Sequence, residues 1–341
     1  MAALFCIAAA VILALAVGSI RETESVATPT PAVLPTEVPT AESAAVTPHP
    51  IGRDGPTDGG LGPEIFLPCE FPGTVETVTY TTRDYGGTGE VSKNMRVYIP
   101  YGYSEENQYN VLVLLHGYGG SENYWFDEIR WYNDPDYGTA YEGRVQNILD
   151  NMIANELCDP LIVVSPTYYL CPEWRETGDI ISRDGTQFAS ELANDILPAI
   201  AADYATYAKS PDRESIAAAR EHFAFLGASN GAVIGSSSVL PNDLDMLAYY
   251  GLVSGYETTA YRMQERWNAL GYAEHDIGYV YFSAGEDDFL RGETEAGYLD
   301  MKQNCSKIGE DNIGYTKIRG VIHEDAVWLD AIYNCLLLFY Q

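Results

Sequence analysis

The segment 225-FLGASNG-231 contains a Gly-x-Ser-x-Gly pattern centred on Ser229. Such a pattern is typical of a sharp strand-to-helix turn, in which the glycines tolerate a strained backbone and the serine hydroxyl is exposed. The same five residues can also be a glycine-rich turn with an incidental serine. A nucleophilic serine requires a strand before it, a helix after it, and an acid and a histidine later in the chain.

A serine hydroxyl is a weak nucleophile unless a base takes its proton, and two histidines follow Ser229 outside its own strand. His323 comes directly after the apolar run 314-GYTKIRGV-321, which places it at the sheet edge where Ser229 is expected. His275 precedes an apolar run and therefore falls at the opposite edge. We predict that His323 is the base; otherwise it is an ordinary surface or helix-capping histidine.

The acid that orients this histidine is expected in 286-EDDFL-290, directly after the apolar run 278-GYVYFSAG-285. Asp287 and Asp288 are both candidates, because Glu286 is nearest the strand and least free to reach across. In so acidic a chain, three adjacent carboxylates can also be a solvated loop. The chain order of serine, aspartate and histidine favours the catalytic interpretation.

Two backbone amides are candidates for holding the negative charge that develops on an attacked carbonyl oxygen. One is the amide of Asn230, directly after the serine. The other is the amide of Tyr118 in 116-HGYGG-120, where glycines allow the backbone to turn toward the site. The alternative for this second segment is a tight turn with no further role.

Apolar runs alternate with helical patterns from about residue 63 onward, which predicts a single domain. The pattern indicates early strands at 75–82 and 96–99 and helices near 145–155, 187–207 and 326–340, with Pro198 discordant in the second helix. Continuous apolar runs that are typical of buried parallel strands are 110-NVLVLLHGYGG-120, 159-DPLIVVSP-166, 222-HFAFLG-227, 248-AYYGLVSG-255, 278-GYVYFSAG-285 and 314-GYTKIRGV-321. This alternation predicts an α/β fold with a doubly wound, mostly parallel sheet and helices on both faces.

Over about residues 70–341 the chain resembles the esterase D-like enzymes of carbohydrate esterase family 1, in the α/β-hydrolase superfamily. This family includes feruloyl esterases and acetyl xylan esterases of plant-biomass-degrading bacteria. The resemblance rests on the joint order of 96-RVYIPYGYSEENQYNVLVLLHGYGGSENYW-125, 159-DPLIVVSPTYY-169, GASNG, 285-GEDDFL-290 and 323-HEDAVW-328.

The resemblance implies a catalytic triad of Ser229, Asp288 and His323, because the family spacing Gly-x-x-Asp selects Asp288 over Asp287. It also implies oxyanion amides at Tyr118 and Asn230, with no cofactor and no metal. Family members usually carry methionine after the nucleophile. The side chain of Asn230 therefore alters the floor of the pocket and with it the substrate preference.

The expected activity is hydrolysis of feruloyl or acetyl esters on plant cell-wall polysaccharide such as xylan, through an acyl-enzyme. Alternatives are an acyltransferase of the same fold and a catalytically degenerate carbohydrate-binding homologue. The long segment from Tyr168 to Gly185 follows a strand and is expected to overhang Ser229. Aromatic side chains predicted to contact the substrate, unless they only pack loops, are Trp125, Tyr168, Tyr169 and Trp174.

The amino-terminal part of the chain has a different composition. Residues 2–20 carry no charge, which predicts a signal peptide or membrane anchor over 1–20 and a secreted or cell-envelope protein. Residues 21–62 are rich in Pro and Thr and predict a disordered linker ahead of an esterase domain over 63–341. The net charge of −30 argues against nucleic acid and anionic membrane surfaces as partners. Contact with a membrane is therefore expected only through the amino-terminal segment.

Five cysteines follow residue 20, so at least one of them cannot pair within the chain. Cys158 and Cys171 bracket a predicted strand, which separates them by more than a disulfide spans. Cys305 and Cys335 lie late in two successive predicted helices. If a disulfide forms, this second pair is the expected one.

Overall fold

The computed structural model describes residues 54–57, 61–85, 87, 89–128, 144–171 and 187–341. The strands within these ranges are β1 (Asp54–Thr57), β2 (Thr74–Arg83), β3 (Glu90–Ile99), β4 (Asn110–Leu115), β5 (Leu161–Ser165), β6 (Phe223–Ala228), β7 (Tyr249–Val253), β8 (Tyr279–Gly285) and β9 (Ile313–Ile318). In the described part of the chain they form one nine-stranded sheet in the order β1-β9-β8-β7-β6-β4-β5-β3-β2.

All neighbours from β1 across to β5 pair in parallel, whereas β3 and β2 add antiparallel strands at the far end. The carboxyl ends of the parallel strands therefore lie at one edge of the sheet. The loops that follow β4, β6, β8 and β9 leave from this edge. Ligands of open α/β sheets bind at such an edge, so the topology brings the predicted site residues together.

The described helices are α1 (Arg144–Ala154), α2 (Leu197–Asp203), α3 (Arg213–Ala218), α4 (Asn230–Ile234), α5 (Leu240–Asn242), α6 (Ala260–Leu270), α7 (Arg291–Asn304) and α8 (Asp325–Leu338). They cover both faces of the sheet. The strands alternate their side chains between two cores: Val113 and Phe225 face the core of α2, α6 and α7, and Leu114 and Leu226 face the core of α1 and α8. None of the described helices is long and apolar enough to cross a membrane.

This arrangement confirms the predicted doubly wound, mostly parallel sheet with helices on both faces. Pro198, discordant in the predicted helix over 187–207, lies in the first turn of α2, directly after a π-helical turn over Leu192–Ile196. A wider turn accommodates the proline, because its ring cannot fit against an ordinary preceding turn and it has no N–H to donate.

Strand β1, at the edge of the sheet, lies within the segment that was predicted to be a disordered linker. Residues 54–57 were predicted to belong to the disordered linker over 21–62, yet they pair in parallel with Tyr315–Ile318 of β9. An edge strand is held by backbone hydrogen bonds and tolerates proline, so composition does not reveal it. The predicted segment 1–20 and the linker up to residue 53 lie outside the described residues.

The expected disulfide between Cys305 and Cys335 is absent. Cys305, at the end of α7, is buried in the core on one face of the sheet, and Cys335 of α8 is buried in the core on the other face. The sheet separates the two thiols. Cys69 and Cys158 form no disulfide either.

A buried carboxyl group in α8 predicts a pH-dependent stability. Burial raises the pKa of Asp330 to about 7, although the side-chain amide of Asn334 donates to it at 2.7 Å and lowers the pKa. Because the folded-state pKa lies above that of the unfolded chain, the neutral carboxyl stabilises the fold fully below about pH 4. This contribution is lost as the pH rises toward 7 and is absent above it.

We therefore expect Asp330→Asn to raise the free energy of unfolding at pH 8 by up to about 4 kcal/mol and to change it little at pH 4. Urea unfolding at both pH values measures the difference. The exposed Asp311→Asn serves as the matched control. An equal effect of Asp330→Asn at both pH values would show that folding does not raise the pKa of Asp330.

Candidate active site

Ser229 directly follows β6, the strand between β4 and β7. Its backbone has φ 54° and ψ −119°, a left-handed conformation that is strained for a residue with a side chain. The Ser229 amide donates to the carbonyl of Val253 at 2.8 Å, and helix α4 begins at the next residue. The segment is therefore the strand–turn–helix that a nucleophile elbow requires, and the alternative of an incidental turn is not supported.

Both glycines of the pattern are required by close backbone approaches. A Cβ atom on Gly227 would lie 2.2 Å from the carbonyl oxygen of Gly231, and one on Gly231 would lie 2.3 Å from the carbonyl oxygen of Leu115. Backbone atoms cannot give way as a flexible side chain can. Glycine at these positions lets α4 pack tightly against β6 and β4, which holds Ser229 at the sheet edge.

The side chains of Ser229, His323 and Asp288 form a hydrogen-bonded chain. The Nε2 atom of His323 lies 2.9 Å from the Ser229 Oγ, and its Nδ1 atom lies 3.0 and 3.1 Å from the two Asp288 carboxylate oxygens. Asp287 is exposed, and its amide donates to the carbonyl of Val321 at 2.9 Å. The structure thus brings together the three residues that the resemblance selected, with Asp288 rather than Asp287 facing the histidine.

The Asp288 side chain is fully buried, yet its charged form is stabilised. Burial alone raises its pKa, but hydrogen bonds from His323 and from the Leu290 amide outweigh this, so that the pKa is lowered. An ionised Asp288 accepts from the Nδ1–H of His323. The resulting tautomer leaves Nε2 free to accept the Ser229 proton, which is the arrangement that general-base activation needs.

The loop after β4 approaches Ser229 closely. A Cβ atom on Gly117 would lie 3.1 Å from the Ser229 Cβ, so only a glycine fits comfortably beside the serine. The loop then makes a tight turn in which Gly120 donates to the Gly117 carbonyl at 3.2 Å and Gly119 has φ 76°. The turn hydrogen bond does not use the Tyr118 amide.

The second predicted oxyanion donor lies at the start of a helix. The amide of Asn230 is the first in α4, and a first-turn amide has no acceptor within its own helix. Tyr118 directly follows Gly117, which closely approaches Ser229, and Asn230 directly follows Ser229 itself, so both amides stay candidates for the predicted oxyanion hole.

The chain is similar in sequence to a known xylanase. It is 32% identical over 291 residues to endo-1,4-beta-xylanase Y of Acetivibrio thermocellus, covering 82% of this chain and 24% of that protein. The chain thus spans about a quarter of the length of this curated relative. No protein-family model matches the chain.

Among solved structures, a serine-to-alanine variant of the feruloyl esterase module from Clostridium thermocellum, in complex with sinapinate, superposes with a TM-score of 0.69. It is 25% identical, and the match covers 86% of this chain and 97% of that one. The chain is thus similar to this module in both sequence and fold. A CE1 ferulic acid esterase from Anaeromyces mucronatus shares the α/β-hydrolase fold at 17% identity and a TM-score of 0.59, over 84% of this chain and 98% of that one.

Asn230 stands at the position after the serine, where the family that the sequence resembles usually has methionine. Its side chain connects the elbow to the loop after β4. Its side-chain amide donates to the Tyr168 hydroxyl at 3.0 Å, and the hydroxyls of Tyr168 and Tyr169 lie 3.1 Å apart. The Gly119 amide donates to the Tyr169 hydroxyl at 3.0 Å. Asn230 therefore contributes to holding the loop that carries the Tyr118 amide, a role that sequence reasoning missed.

Three of the predicted substrate contacts are wrong, because their side chains are buried. Trp125 and Tyr168 are each 1% exposed and Tyr169 is 3% exposed, so their ring faces are not available to a substrate. Trp125 packs in the core of α1 and α8, whereas the two tyrosines stack against the buried ring of His116. Packing of loops, the alternative considered for these rings, is what the structure shows. Trp174 lies outside the described residues.

His116 itself supports the loop. Its Nε2 atom lies 2.9 Å from the Thr167 Oγ1, and its Nδ1 atom lies 2.7 Å from the Gly117 carbonyl oxygen. The neighbouring Lys93 donates to the Thr167 carbonyl at 2.7 Å and forms an ion pair with Glu191 at 2.6 Å. This polar network ties the loops after β4 and β5 together beneath the site.

A separate concave region of the described part of the molecule lies away from Ser229. A surface cavity of about 450 Å³ is lined by residues at the amino ends of β7 and β8, Tyr249 and Tyr279 among them, and so lies at the opposite edge of the sheet. No group of His, Cys, Asp or Glu among the described residues could hold a metal ion.

We expect Tyr169→Phe to lower kcat roughly tenfold while KM changes little. The substitution removes the hydroxyl that accepts from the Gly119 amide, which costs about 1 kcal/mol and loosens the turn that contains Tyr118. Steady-state kinetics on a small ester such as p-nitrophenyl acetate measure the effect. Tyr261→Phe is the matched control, because its hydroxyl contacts only the exposed Glu265 among the described residues. An unchanged kcat in Tyr169→Phe would show that the Tyr169 hydroxyl does not support the loop after β4.

Proposed function

We propose that this chain is a serine esterase that releases phenolic acyl groups, with ferulate as the leading candidate, from plant cell-wall polysaccharide such as xylan. The observation that carries the proposal is the contact of the Ser229 Oγ with the His323 Nε2 at 2.9 Å, with Asp288 behind the imidazole. The strained backbone of Ser229 and the two adjacent amides support the same chemistry.

The reaction follows from this geometry. His323 takes the proton of Ser229, and the serine oxygen bonds to the ester carbonyl carbon while the amides of Tyr118 and Asn230 hold the oxyanion. The bond from the carbonyl carbon to the alcohol oxygen then breaks, and His323 gives the proton to that oxygen. A water molecule, deprotonated by His323, then attacks the carbonyl carbon of the acyl-enzyme. The bond from that carbon to the Ser229 Oγ breaks, His323 returns the proton to the serine oxygen, and the carboxylic acid leaves.

The choice of hydrolysis over acyl transfer rests on access to solvent. The His323 side chain is 16% exposed, which supports approach of water to the base. A phenolic acyl group is favoured because the feruloyl esterase module that superposes on this chain binds sinapinate. A xylan substrate is favoured because a relative of 32% identity is an endo-1,4-beta-xylanase.

Export of the protein to the cell surface or beyond is part of the proposal. The uncharged segment over residues 2–20 supports a signal peptide or an anchor, and the Pro- and Thr-rich stretch that follows would let a tethered domain reach an insoluble polymer. Amino-terminal sequencing of the protein recovered from its native host tests this: a new terminus near residue 20 supports cleavage.

The function is tested by product analysis on feruloylated and acetylated xylan side by side. We expect chromatography to detect free ferulate at a much higher rate than free acetate. Release of acetate alone would show that the proposed acyl group is wrong. Binding to either polymer without product would favour a carbohydrate-binding homologue. Acylated sugar formed from an added sugar acceptor, with no free acid, would favour an acyltransferase.

A further inference from the structure

Phe289 presents an aromatic ring to solvent beside the candidate base. It follows Asp288 directly in the chain, and it is 73% exposed. Its ring centroid lies 4.4 Å from that of His323, with an angle of 46° between the planes. Trp328, which is 8% exposed, packs on His323 at 5.6 Å and 82°. A buried ring therefore already supports the imidazole, and the exposed ring is available for another contact.

The backbone around Phe289 is well held. The Leu290 amide donates to the Asp288 carboxylate at 2.7 Å, and the Arg291 amide donates to the Asp288 carbonyl at 3.1 Å. The Arg291 guanidinium also donates to the carbonyl of Glu286. A turn whose hydrogen bonds are accepted by Asp288 thus holds the Phe289 ring in its exposed position.

The chemistry of the site determines which part of a substrate lies beside this ring. The leaving alcohol receives its proton from the Nε2 of His323, so the alcohol oxygen must approach that atom as the bond breaks. The acyl carbonyl oxygen points instead toward the amides of Tyr118 and Asn230. A ring packed on the imidazole is therefore adjacent to the alcohol, which in a polysaccharide ester is the sugar.

A second exposed apolar side chain lies on the adjoining loop. Ile322, directly before His323, is 54% exposed. The two loops are joined by backbone contact, since the Asp287 amide donates to the Val321 carbonyl at 2.9 Å. An aromatic face with an apolar neighbour suits the C–H face of a sugar ring, which aromatic side chains contact through dispersion and apolar burial.

We propose that Phe289 forms the subsite for the sugar ring that carries the ester, and thereby makes the site prefer sugar esters over esters of small alcohols. The proposal rests on the proposed function. It assigns to Phe289 a contact with the leaving group and not with the acyl group.

The test compares two esters of ferulate that differ only in the alcohol: methyl ferulate and a feruloylated arabino-xylo-oligosaccharide. For Phe289→Ala we expect the ratio of kcat/KM for the sugar ester to kcat/KM for the methyl ester to fall roughly fivefold to tenfold. Phe289→Tyr, which keeps the ring, should restore the ratio. The control Tyr261→Ala removes an equally exposed ring on α6 and should leave the ratio at the wild-type value.

Each other outcome has a definite meaning. Equal losses on both esters would overturn the proposal and show that Phe289 only packs on His323. An unchanged ratio with unchanged rates would place sugar recognition elsewhere. A wild-type protein that hydrolyses neither ester would contradict the proposed function itself, whereas one that hydrolyses both, with a ratio insensitive to Phe289, would contradict the subsite alone.

Discussion

Ser229→Ala is expected to lose roughly 10⁴- to 10⁶-fold in kcat on any ester substrate, with a nearly unchanged thermal midpoint. The hydroxyl forms the covalent intermediate, and its contact in the structure is the 2.9 Å approach to His323. Alanine adopts the same backbone conformation as serine, so the fold has no new strain to absorb. Steady-state kinetics and thermal unfolding of the same preparation measure the two quantities.

Ser237→Ala is the matched control for this substitution. Its hydroxyl donates to the Val233 carbonyl on an exposed part of the helix that follows the elbow, and we expect normal turnover from it. A Ser229→Ala protein that retained activity within roughly tenfold of wild type would place the nucleophile elsewhere, because such a loss lies far below the scale of a triad member.

Asp288→Asn is expected to lower kcat about 10⁴-fold, and Asp287→Asn to have little effect. An amide at position 288 presents an N–H as well as a carbonyl to His323 and favours the wrong imidazole tautomer. Asp287 is exposed and contacts neighbouring residues through its backbone amide, so its carboxylate is dispensable. Comparable losses in the two variants, or the reverse order, would contradict the assignment of the acid.

The sheet and the order of the site residues could be predicted because they depend on local patterns. Continuous apolar runs indicate strands that are buried on both faces, and parallel strands bring the residues after them to one edge. The position of His323 after β9 and that of Ser229 after β6 follow from these two facts. The choice between Asp287 and Asp288 did not follow from them, since adjacent side chains in a loop point in different directions.

Contacts between segments distant in sequence were beyond prediction. The hydrogen bond from Asn230 to Tyr168 joins loops 62 residues apart, and neither residue carries a local signal of it. The burial of Trp125 and the exposure of Phe289 depend likewise on what packs beside each ring. The wrong pairing of Cys305 with Cys335 has the same origin, because a helical pattern does not say which face of the sheet its helix covers.

The central claim is that Ser229 becomes acylated during turnover. The most direct measurement is rapid acid quenching of the protein during hydrolysis of a feruloyl ester, followed by proteolysis and mass spectrometry. We expect a feruloyl adduct on the peptide that contains Ser229, and no adduct in Ser229→Ala under the same conditions. An adduct on a different residue, or turnover of the ester with no covalent intermediate in a reaction quenched before deacylation, would contradict it.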